Sequence, residues 1–483
     1  MEVNMKVLYV AAEAVPFAKS GGLGDVAGAL PAALRKRMVG CRVVLPLYQE
    51  ISPELKESMR FVKEMWVPLS WRSQYCGIYE AKVGDVIYYL LDNQYYFGRK
   101  GYYGHFDDGE RFAFFSKAVL ELLQHIDFQP DVMNCNDWQT GLVPFYLNKF
   151  YRNINETYAN LQVVYTIHNI QYQGIFPPDI VENVLGVEWN DYAGGYLQFD
   201  NCVNYMKTGI LAASWVTTVS PTYAEEIKDP FFSHGLHDLL RQESPKLSGI
   251  VNGIDTAVYN PETDPHLFKN YTLETIEDKK VNKAELQKLL GLNVREDVPI
   301  ISIVSRLADH KGLDLVANVL NDILWDDVQL VVLGVGEWQY EEMLRSAARA
   351  YPGKVSANIL FNIDLAQKIY AGSDMLLMPS LSEPCGLSQM IAMRYGTIPI
   401  VRETGGLKDT VHPFVAPDGD GNGFSFAAYN AHDMLYVIRE AEAAFHQPEV
   451  WNKVVSNAMQ TDVSWNGPAK DYIALYRKIT GKR

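Results

Sequence analysis

The sequence predicts an α/β protein made of two doubly wound domains, and three observations lead to this prediction. The chain has 483 residues, which is too long for a single hydrophobic core. Short apolar runs alternate with helical patterns along most of it, as expected of parallel sheets that helices cover on both faces. A stretch rich in Pro, Gly, Asn and Asp at residues 244–264 interrupts the alternation. We expect the hinge between the two domains in this stretch.

Each half of the chain contributes its own set of predicted buried strands. In the first half these are Val7–Ala12, Arg42–Pro46, Val86–Leu91, Val132–Asn134, Val163–Ile167 and Trp215–Val219. In the second half they are Ile300–Val304, Val328–Leu333, Val355–Phe361, Met375–Met378 and Ile398–Val401. We expect one domain over residues 1–245, a second over 253–460, and a terminal helical segment over 461–483.

The composition excludes several classes of function. A formal net charge of −15 argues against nucleic acid or an anionic membrane as the main partner, although local cations can still bind a small anion. Five scattered cysteines without a CxxC pair are typical of reduced thiols in the cytosol. The N-terminus has no signal-peptide pattern, and no apolar run reaches the roughly 18 residues that span a bilayer. We therefore expect a cytoplasmic protein.

A glycine-rich loop follows the first predicted strand. Gly22, Gly24 and Ala27 satisfy the G-x-G-x-x-A pattern of dinucleotide-binding proteins. In that pattern the first glycine follows the strand directly, whereas about ten residues intervene here, which disfavours a nicotinamide-dependent dehydrogenase. Lys19, the glycines and a helix from about Asp25 instead suit a phosphate or a sugar hydroxyl. An ordinary strand-to-helix turn is the alternative.

Two cations are predicted beyond the carboxyl end of the strand Ile300–Val304. Arg306 follows the strand, and Lys311 lies where the next helix should begin. Ligands of open α/β sheets bind at this end of the strands, and a planar Arg fork beside a compact Lys charge matches a diphosphate. Either residue alone would be interpreted as a solvated surface cation. Their joint placement favours an anion site.

The richest candidate segment begins after the strand Met375–Met378. Pro384 suits the first turn of a helix, and the backbone N–H groups of Gly386 and Leu387 would then lie at its N-terminus. Glu383 comes just before this helix, where it can accept hydrogen bonds from ligand hydroxyls. A simple helix cap is the alternative for Glu383.

Polar and aromatic residues of the first half complete the list of candidates. His168 and Asp137 each follow a predicted strand, and Asn252 in the hinge carries an amide that can bind sugar hydroxyls. Tyr102 and Tyr103 lie between glycines in an aromatic loop. These two rings are expected either to stack on sugar rings or to be buried.

Together these segments resemble the bacterial glycogen synthases and plant starch synthases. The resemblance spans nearly the whole chain and rests on seven motifs in family order: KSGGLGDV (19–26), DWQTGL (137–142), HNIQYQG (168–174), NGID (252–255), SRLADHKG (305–312), EPCGLSQ (383–389) and TGGLKDTV (404–411). It implies the GT-B fold, in which two Rossmann-like domains face a cleft and the last helix returns to the first domain. It also implies transfer of glucose from ADP-glucose to the non-reducing end of an α-1,4-glucan such as glycogen, with retention of configuration and without a cofactor or essential metal ion.

The resemblance also implies a role for each candidate residue. Catalytic roles fall to Glu383, His168, Arg306 and Lys311. Donor binding falls to Lys19, Gly22, Asp137, Asn252, Arg306, Lys311, Phe361 and the amides of Cys385, Gly386 and Leu387, with Phe361 against the adenine. We expect Tyr102 and Tyr103 on the acceptor side. The residue eight positions after Glu383, which is a second glutamate in related retaining enzymes, is Ile391 here.

One plausible carboxylate at the site suggests a front-face displacement rather than the two-carboxylate route of retaining glycosidases. In this mechanism a leaving-phosphate oxygen takes the acceptor proton, and closure of the two domains expels water. Two alternatives remain open at this point. One is a UDP-glucose donor, and the other is a non-catalytic glucan-binding protein with the same fold.

Overall fold

The computed structural model describes residues 5–415 and 419–482. By its internal contacts the chain divides into two compact units. One unit contains Met1–Asn252 and Trp465–Arg483, and the other contains Gly253–Ser464.

The first unit is built on a mixed sheet with helices around it. Its strands are β1 Lys6–Val10, β2 Gly40–Pro46, β3 Arg60–Leu69, β4 Arg72–Val83, β5 Val86–Asp92, β6 Val132–Asn136, β7 Gln162–Ile167, β8 Ile175–Phe176, β9 Gln198–Phe199, β10 Cys202–Asn204, β11 Trp215–Thr218 and β12 Leu247–Gly249. Its helices are α1 Gly22–Lys36, α2 Pro53–Glu57, α3 Gln94–Phe97, α4 Asp108–Leu122, α5 Leu142–Tyr146, α6 Glu156–Asn160, α7 Trp189–Ala193, α8 Tyr205–Ala212, α9 Pro221–Glu226 and α10 His237–Gln242.

The main sheet of this unit runs in the order β12-β11-β7-β6-β1-β2-β5-β4-β3 within the described residues. Its strands from β12 to β5 are parallel, whereas β4 and β3 continue it as an antiparallel hairpin. The parallel strands from β11 to β5 are mostly buried, as expected of strands that helices cover on both faces, whereas the edge strand β12 is only half-buried. A small antiparallel sheet, β8-β10-β9, accompanies it.

The second unit contains a purely parallel sheet. Its strands are β13 Ile300–Val304, β14 Gln329–Leu333, β15 Val355–Asn358, β16 Met375–Met378, β17 Ile398–Arg402 and β18 Phe424–Phe426. Its helices are α11 Lys279–Leu289, α12 Leu313–Trp325, α13 Trp338–Ala350, α14 Ile363–Gly372, α15 Ser388–Arg394, α16 Gly405–Thr410, α17 Ala431–Phe445 and α18 Pro448–Gln460. The order β15-β14-β13-β16-β17-β18 is the 3-2-1-4-5-6 order of dinucleotide-binding domains.

The last helix, α19 Asn466–Thr480, packs in the first unit. Tyr472 and Tyr476 are buried in that unit's core, and the Tyr476 hydroxyl donates to Asn134 Oδ1 at 2.9 Å. Arg37, directly after α1, donates to the carbonyl of Asn466 at 2.9 Å. The apolar spacing of the tail thus reflects burial against the first sheet.

The α/β prediction is confirmed, and every predicted strand overlaps a strand of the structure. The predicted set lacked the short strands β8, β9, β10, β12 and β18, and three further details differ. The helix expected from about Asp25 begins at Gly22, and β15 ends at Asn358 instead of continuing to Phe361. The hairpin β3–β4 was not predicted, because one of its faces is exposed and polar residues break its apolar pattern. Among the described residues, no helix is long and apolar enough to cross a bilayer.

Candidate functional site

The second unit has a switch point between β13 and β16. The chain leaves β13 toward β14 but leaves β16 toward β17 on the other side, so the loops after these neighbouring strands diverge and leave a crevice. Arg306 follows β13, and Glu383 lies in the loop after β16. The topology therefore brings the loops that carry both residues to the end of the sheet where ligands of such folds bind.

Lys311 and Glu383 form an ion pair at this crevice. Lys311 Nζ lies 2.6 Å from Glu383 Oε2, and the Ser380 hydroxyl donates to the same oxygen at 3.1 Å. Glu383 is buried and Lys311 is largely so. Two opposite charges held in low-dielectric surroundings compensate each other, and removing either would leave the other uncompensated. The sequence placed these residues in the same crevice, and the structure brings their charged groups into contact.

The turn that carries Lys311 is fixed against the loop that carries Glu383. Gly312 has φ +75°, and a Cβ at this position would lie 2.0 Å from the carbonyl oxygen of Pro379. The N–H of Leu381 also donates to the carbonyl of His310 at 2.9 Å. Only glycine allows this close approach, so Gly312 keeps the turn of Lys311 against the loop of Glu383.

The segment after Glu383 is a loop, because α15 begins only at Ser388. The expectation that Pro384 occupies the first helical turn was wrong, since Gly386 has φ +74° and cannot belong to a right-handed helix. The backbone N–H groups of Gly386 and Leu387 have no acceptor within the part of the chain that the structure describes. They are donors available to a ligand oxygen.

The TGGL turn holds this loop from behind. The N–H of Gly406 donates to the carbonyls of Glu383 and Pro384 at 3.2 and 3.1 Å. Gly405 has φ +43°, and a Cβ there would lie 2.0 Å from the Glu383 carbonyl oxygen. Gln389 donates through Nε2 to the carbonyls of Cys385 and Gly386 at 3.1 and 3.0 Å. The backbone that presents Glu383 is therefore held on both sides.

The first unit has its own switch point between β1 and β6. The chain leaves β1 toward β2 and leaves β6 toward β7, so the loop containing Lys19 and Gly22 and the turn at Asp137 both lie at the carboxyl ends of neighbouring strands. Lys19 Nζ pairs with Asp25 Oδ1 at 2.7 Å, and Gly22 is exposed at the start of α1. A ligand anion would have to compete with Asp25 for this lysine.

Asp137 connects the turn after β6 to the turn after β7. Its Oδ1 accepts the backbone N–H of His168 at 2.7 Å and that of Asn169 at 3.4 Å. Its φ of 56° is unusual for a residue with a side chain. Burial raises the pKa of Asp137 to about 7, against the lowering effect of the two backbone hydrogen bonds.

His168 is neutral with a defined tautomer. Burial lowers its pKa to about 3, and its Nε2 lies 2.9 Å from Asn136 Oδ1. The amide nitrogen of Asn136 already donates to the carbonyls of Val10 and Asn134, so its oxygen faces the imidazole. Nε2 therefore carries the proton, and Nδ1 is left as an acceptor.

Asn252 and the two tyrosines have different environments. Asn252 is buried, and its Oδ1 has no hydrogen-bond partner among residues 5–415 and 419–482. Tyr102 packs on Tyr48 with ring centroids 4.8 Å apart, and Tyr103 donates its hydroxyl to the buried Glu13 at 2.5 Å. Both rings are partly buried against the core and partly accessible.

Two sequence families match the chain. The model of the family described as "Starch synthase catalytic domain" matches residues 6–242, and that of "Glycosyl transferases group 1" matches residues 290–457. The first range lies in the first unit and the second range in the second unit.

Proteins named glycogen synthase are similar along the whole chain. That of Alkaliphilus metalliredigens is 51% identical over 475 residues, which cover 98% of this chain and 100% of that protein. That of Geobacillus stearothermophilus is 51% identical over 478 residues, with 99% and 98% covered. The chain belongs to the glycogen synthase family. It is a glycosyltransferase of glycogen biosynthesis, and its relatives support a glucosyltransferase role with glucan and nucleotide-sugar substrates.

Solved structures agree with this assignment. The catalytic domain of starch synthase IV from Arabidopsis thaliana, bound to ADP and acarbose, superposes with a TM-score of 0.92 at 31% identity and covers 99% of this chain and 100% of that one. A sucrose-phosphate synthase from Thermosynechococcus elongatus, at 16% identity and a TM-score of 0.61, covers 99% of both chains and shares the fold alone. The predicted GT-B fold is confirmed.

In this member of the glycogen synthase family, the predicted residues fall into separate groups. Lys311 joins Glu383 within the second unit, and Asp137 joins His168 within the first. Phe361 lies beyond the end of β15 and is 78% exposed, so nothing in its own unit covers its ring. The predicted roles of these residues remain predictions.

Several residues around the candidate site were not predicted to take part. Glu13 is buried and accepts both the backbone N–H and the hydroxyl of Ser20, the latter at 2.6 Å, so it holds the loop that carries Lys19. Arg402 donates to the carbonyl of Leu381 at 2.9 Å and supports the loop before Glu383. Glu13 follows the carboxyl end of β1, and Arg402 is the last residue of β17. These positions were the only sequence signal that pointed to either residue.

The Asp137→Asn variant should gain stability relative to the wild type as the pH rises. The folded pKa is about 7, whereas the ordinary value is 3.8, so between these values the folded protein keeps a proton that the unfolded chain has released. The wild type therefore loses stability as the pH rises from about 4 to about 7, and the variant lacks this loss. Thermal unfolding midpoints of both proteins at pH 5 and pH 8 measure the effect. A Tm difference that is the same at both pH values would contradict the assignment.

Proposed function

We propose that the chain transfers glucose from ADP-glucose to the non-reducing end of an α-1,4-glucan, with retention of the anomeric configuration. The observation that carries the proposal is the Lys311–Glu383 ion pair at the switch point of a 3-2-1-4-5-6 sheet. It offers a cation for a diphosphate beside a carboxylate for sugar hydroxyls. The similar starch synthase IV structure, which is bound to ADP and acarbose, supports the choice of donor and acceptor.

Arg306 and Lys311 are the proposed diphosphate ligands. Arg306 is exposed after β13, where its planar fork can bind two phosphate oxygens. Lys311 is held by a rigid turn at Gly312 and already has its charge compensated by Glu383. A diphosphate bound there would share Lys311 with that carboxylate, and it would do so with little movement of the backbone.

Glu383 and the loop after it are the proposed ligands of the glucose. Its carboxylate can accept hydrogen bonds from sugar hydroxyls, while the N–H groups of Cys385, Gly386 and Leu387 can donate to them. Gln389 and the TGGL turn fix this loop from the protein side. Phe361, exposed after β15, is the proposed contact of the adenine.

The residues of the first unit are proposed to contact the donor from their own switch point. Lys19 and Gly22 present a cation and an open glycine, and Asn252 presents a buried amide oxygen without a partner among the described residues. Neutral His168 offers Nδ1 as an acceptor for a sugar hydroxyl and cannot act as a cation near neutral pH. Asp137 fixes the backbone of that histidine. Tyr102 and Tyr103 remain the proposed acceptor-side residues.

The proposed reaction is a front-face displacement. The acceptor 4-hydroxyl oxygen forms a bond to C1 of the glucose as the bond from C1 to the phosphate oxygen breaks. The hydroxyl proton passes to the departing phosphate oxygen, so ADP leaves on the face from which the acceptor enters. The two-carboxylate route of retaining glycosidases needs a second carboxylate across the scissile bond, and Glu383 is the one acid that we assign to the glucose. The second glutamate of related retaining enzymes, eight positions after Glu383, is replaced here by the buried Ile391.

The free, mostly buried cysteines support a reducing compartment, and we place the enzyme in the cytoplasm. Two competing interpretations of the site remain. A UDP-glucose donor would use the same diphosphate ligands. A non-catalytic glucan-binding protein would require a damaged donor site, whereas Lys19, Arg306, Lys311 and Glu383 are all present.

A comparison of donors tests the proposal. Purified protein is incubated with glycogen and either ADP-glucose or UDP-glucose, and the released nucleoside diphosphate is measured together with glucan elongation. We expect kcat/KM to be at least about tenfold higher for ADP-glucose, which corresponds to a difference of about 1.4 kcal/mol in transition-state binding between the two bases. A preference for UDP-glucose would overturn the choice of donor. Absence of transfer from both donors would support the non-catalytic alternative.

A further inference from the structure

Glu13 is a buried carboxylate that joins two loops of the first unit. It accepts the backbone N–H and the hydroxyl of Ser20, the latter at 2.6 Å, and it accepts the hydroxyl of Tyr103 at 2.5 Å. Ser20 follows Lys19 in the glycine-rich loop, whereas Tyr103 lies in the aromatic loop after β5. One carboxylate therefore connects a loop that is proposed to bind the donor with a loop that is proposed to face the acceptor.

A tight turn after β1 brings Ser20 back to Glu13. The N–H groups of Phe17 and Ala18 both donate to the carbonyl of Ala14, at 2.9 and 3.0 Å. The chain therefore reverses within a few residues of the strand. Because both hydrogen bonds from Ser20 close this local turn, the position of the Glu13 carboxylate sets the position of the loop.

The aromatic loop is anchored on both sides of Tyr103. Arg111 of α4, which is fully buried, donates to the carbonyl of Tyr102 at 3.2 Å. The N–H of Gly104 donates to Asp108 of the same helix at 2.8 Å. Arg111 and Asp108 also form an ion pair with each other. The backbone before and after Tyr103 is thus fixed to α4, so its hydroxyl reaches the carboxylate from a fixed position.

The carboxylate of Glu13 depends on hydrogen bonds, because no cation compensates it. Within the described residues no ion pair includes Glu13, and Lys19 pairs with Asp25 at 2.7 Å instead. A buried carboxylate without a counter-ion is stabilised by the donors that face it. Burial raises the pKa of Tyr103, and the hydrogen bond to Glu13 adds to the rise, so this tyrosine stays protonated and donates. Its hydroxyl is therefore one of the groups that hold Glu13 in place.

The same contacts extend to Lys19 and its partner. Burial raises the pKa of Tyr102, and an interaction with the backbone N–H of Lys19 lowers it. Burial also raises the pKa of Asp25, Lys19 lowers it, and the charge of Glu13 raises it again. The Lys19–Asp25 pair therefore lies within electrostatic reach of Glu13 and beside the aromatic loop.

We propose that Glu13 is a positioning residue for the donor and that the Tyr103 hydroxyl acts through it. The tyrosine holds the carboxylate, the carboxylate holds Ser20, and Ser20 sets the place of the adjacent Lys19. The proposal rests on the proposed function, because it takes Lys19 as a ligand of the donor. It assigns the Tyr103 hydroxyl to the donor side, while the ring stays available to the acceptor. One substitution can separate these two properties.

The test compares Tyr103→Phe with Tyr151→Phe in the full-length protein. Both substitutions keep the ring and remove a hydroxyl that donates to a glutamate at 2.5 Å, since Tyr151 donates to Glu121. Glu121 lies near the end of α4 and Tyr151 follows α5, so this control pair belongs to helical segments of the same unit. The donor KM and kcat are measured with ADP-glucose and saturating glycogen, and half-saturation by acceptor is measured with maltotetraose. Unfolding midpoints of both variants show that a kinetic difference does not come from loss of folded protein.

We expect Tyr103→Phe to raise the donor KM about tenfold, the loss expected of one hydrogen bond to a charged group, with kcat changed less than about twofold. Half-saturation by maltotetraose should stay unchanged, because the ring is kept. Tyr151→Phe should leave all three constants unchanged. A higher half-saturating concentration of maltotetraose with an unchanged donor KM would assign the Tyr103 hydroxyl to the acceptor and overturn the proposal. Wild-type constants for Tyr103→Phe would overturn it as well.

A double-mutant cycle shows whether the effect passes through Lys19. In a Lys19→Ala background, Tyr103→Phe should cause no further rise in the donor KM, because the group that it positions is gone. A further tenfold rise would overturn this route. Glu13→Gln keeps the size of the side chain but offers one acceptor oxygen to the facing donors, so it should raise the donor KM at least as much as Tyr103→Phe. An unchanged donor KM in Glu13→Gln would overturn the role of the carboxylate.

Binding of ADP separates this proposal from the proposed function. If wild type transfers no glucose from ADP-glucose, the proposed function fails, whereas calorimetric titration with ADP still tests the positioning role. The role of Glu13 is supported if Tyr103→Phe binds ADP about tenfold more weakly than Tyr151→Phe. It is overturned if the two variants bind ADP equally.

Discussion

The Lys311→Ala variant should lose about 10²–10³-fold in the turnover of glucosyl transfer at saturating donor. Lys311 Nζ lies 2.6 Å from Glu383 Oε2 at the crevice of the second unit. The substitution removes the cation that we assign to the departing diphosphate, where charge develops in the transition state. It also leaves the buried Glu383 carboxylate uncompensated. Steady-state rates of ADP release with glycogen as acceptor measure the loss.

Lys288 offers a matched control for Lys311. It pairs with Glu285 at 2.7 Å, but its side chain is 57% exposed on α11. Lys288→Ala should leave turnover unchanged and alter stability by less than about 1 kcal/mol. Lys311→Arg keeps the charge without the compact head and should restore only part of the activity. Near-normal turnover of Lys311→Ala at saturating donor would remove this lysine from the mechanism.

The Glu383→Ala variant should lower kcat/KM for the donor by about a hundredfold. Hydrogen bonds to a charged group contribute about 1.5–3 kcal/mol each, and the carboxylate is proposed to accept at least one from the glucose. Glu383→Gln keeps the shape and one acceptor oxygen but loses the charge, so it separates hydrogen bonding from charge compensation. Donor saturation curves for both variants, with Glu285→Ala on α11 as the control, give kcat and KM separately. Unchanged values for Glu383→Ala would reject the sugar-binding assignment.

Lys311 and Glu383 are in direct contact, so the effects of replacing them are expected to depend on each other. Residues in direct contact that act as a unit show non-additive effects. The double variant Lys311→Ala with Glu383→Ala should therefore be far less impaired than the product of the two single losses. Additive losses would mean that the ion pair in the free protein is unrelated to function.

Much of the fold could be predicted because its strands are buried on both faces. Segments such as Ile300–Val304 and Met375–Met378 read as continuous apolar runs, and their bounds agree with the structure to the residue. The hairpin β3–β4 escaped prediction because Lys63, Glu64 and Trp66 are exposed in β3 and break the pattern that a buried strand would show. A register shift between Phe61 and Lys63 also interrupts the regular alternation of this strand.

The candidate site was predictable in its composition but not in its contacts. The position after a strand's carboxyl end pointed to Arg306, Glu383 and His168. The ion pair between Lys311 and Glu383 joins loops from two strands, and no spacing in the sequence records that distance. The start of α15 was misplaced because the close approach of Gly405 to Glu383, which holds the loop open, is a tertiary contact.

The roles of Glu13 and Asn136 were also hidden from sequence reasoning. Each is a polar residue beside a strand end, which is a common and unspecific feature. Only the fold shows that Glu13 binds Ser20 of the glycine loop and that Asn136 sets the tautomer of His168. Burial then shifts the pKa values of His168 and Asp137, and such shifts have no signature in sequence.

The stereochemistry of a single transfer tests the central claim most directly. Purified protein, ADP-glucose and maltotetraose are combined, and the new glycosidic signal is followed by proton NMR while ADP is measured in the same sample. The account predicts maltopentaose with a new α-1,4 linkage, formed in equal amount to the ADP released. A β linkage, or ADP released with free glucose and no elongated chain, would contradict it.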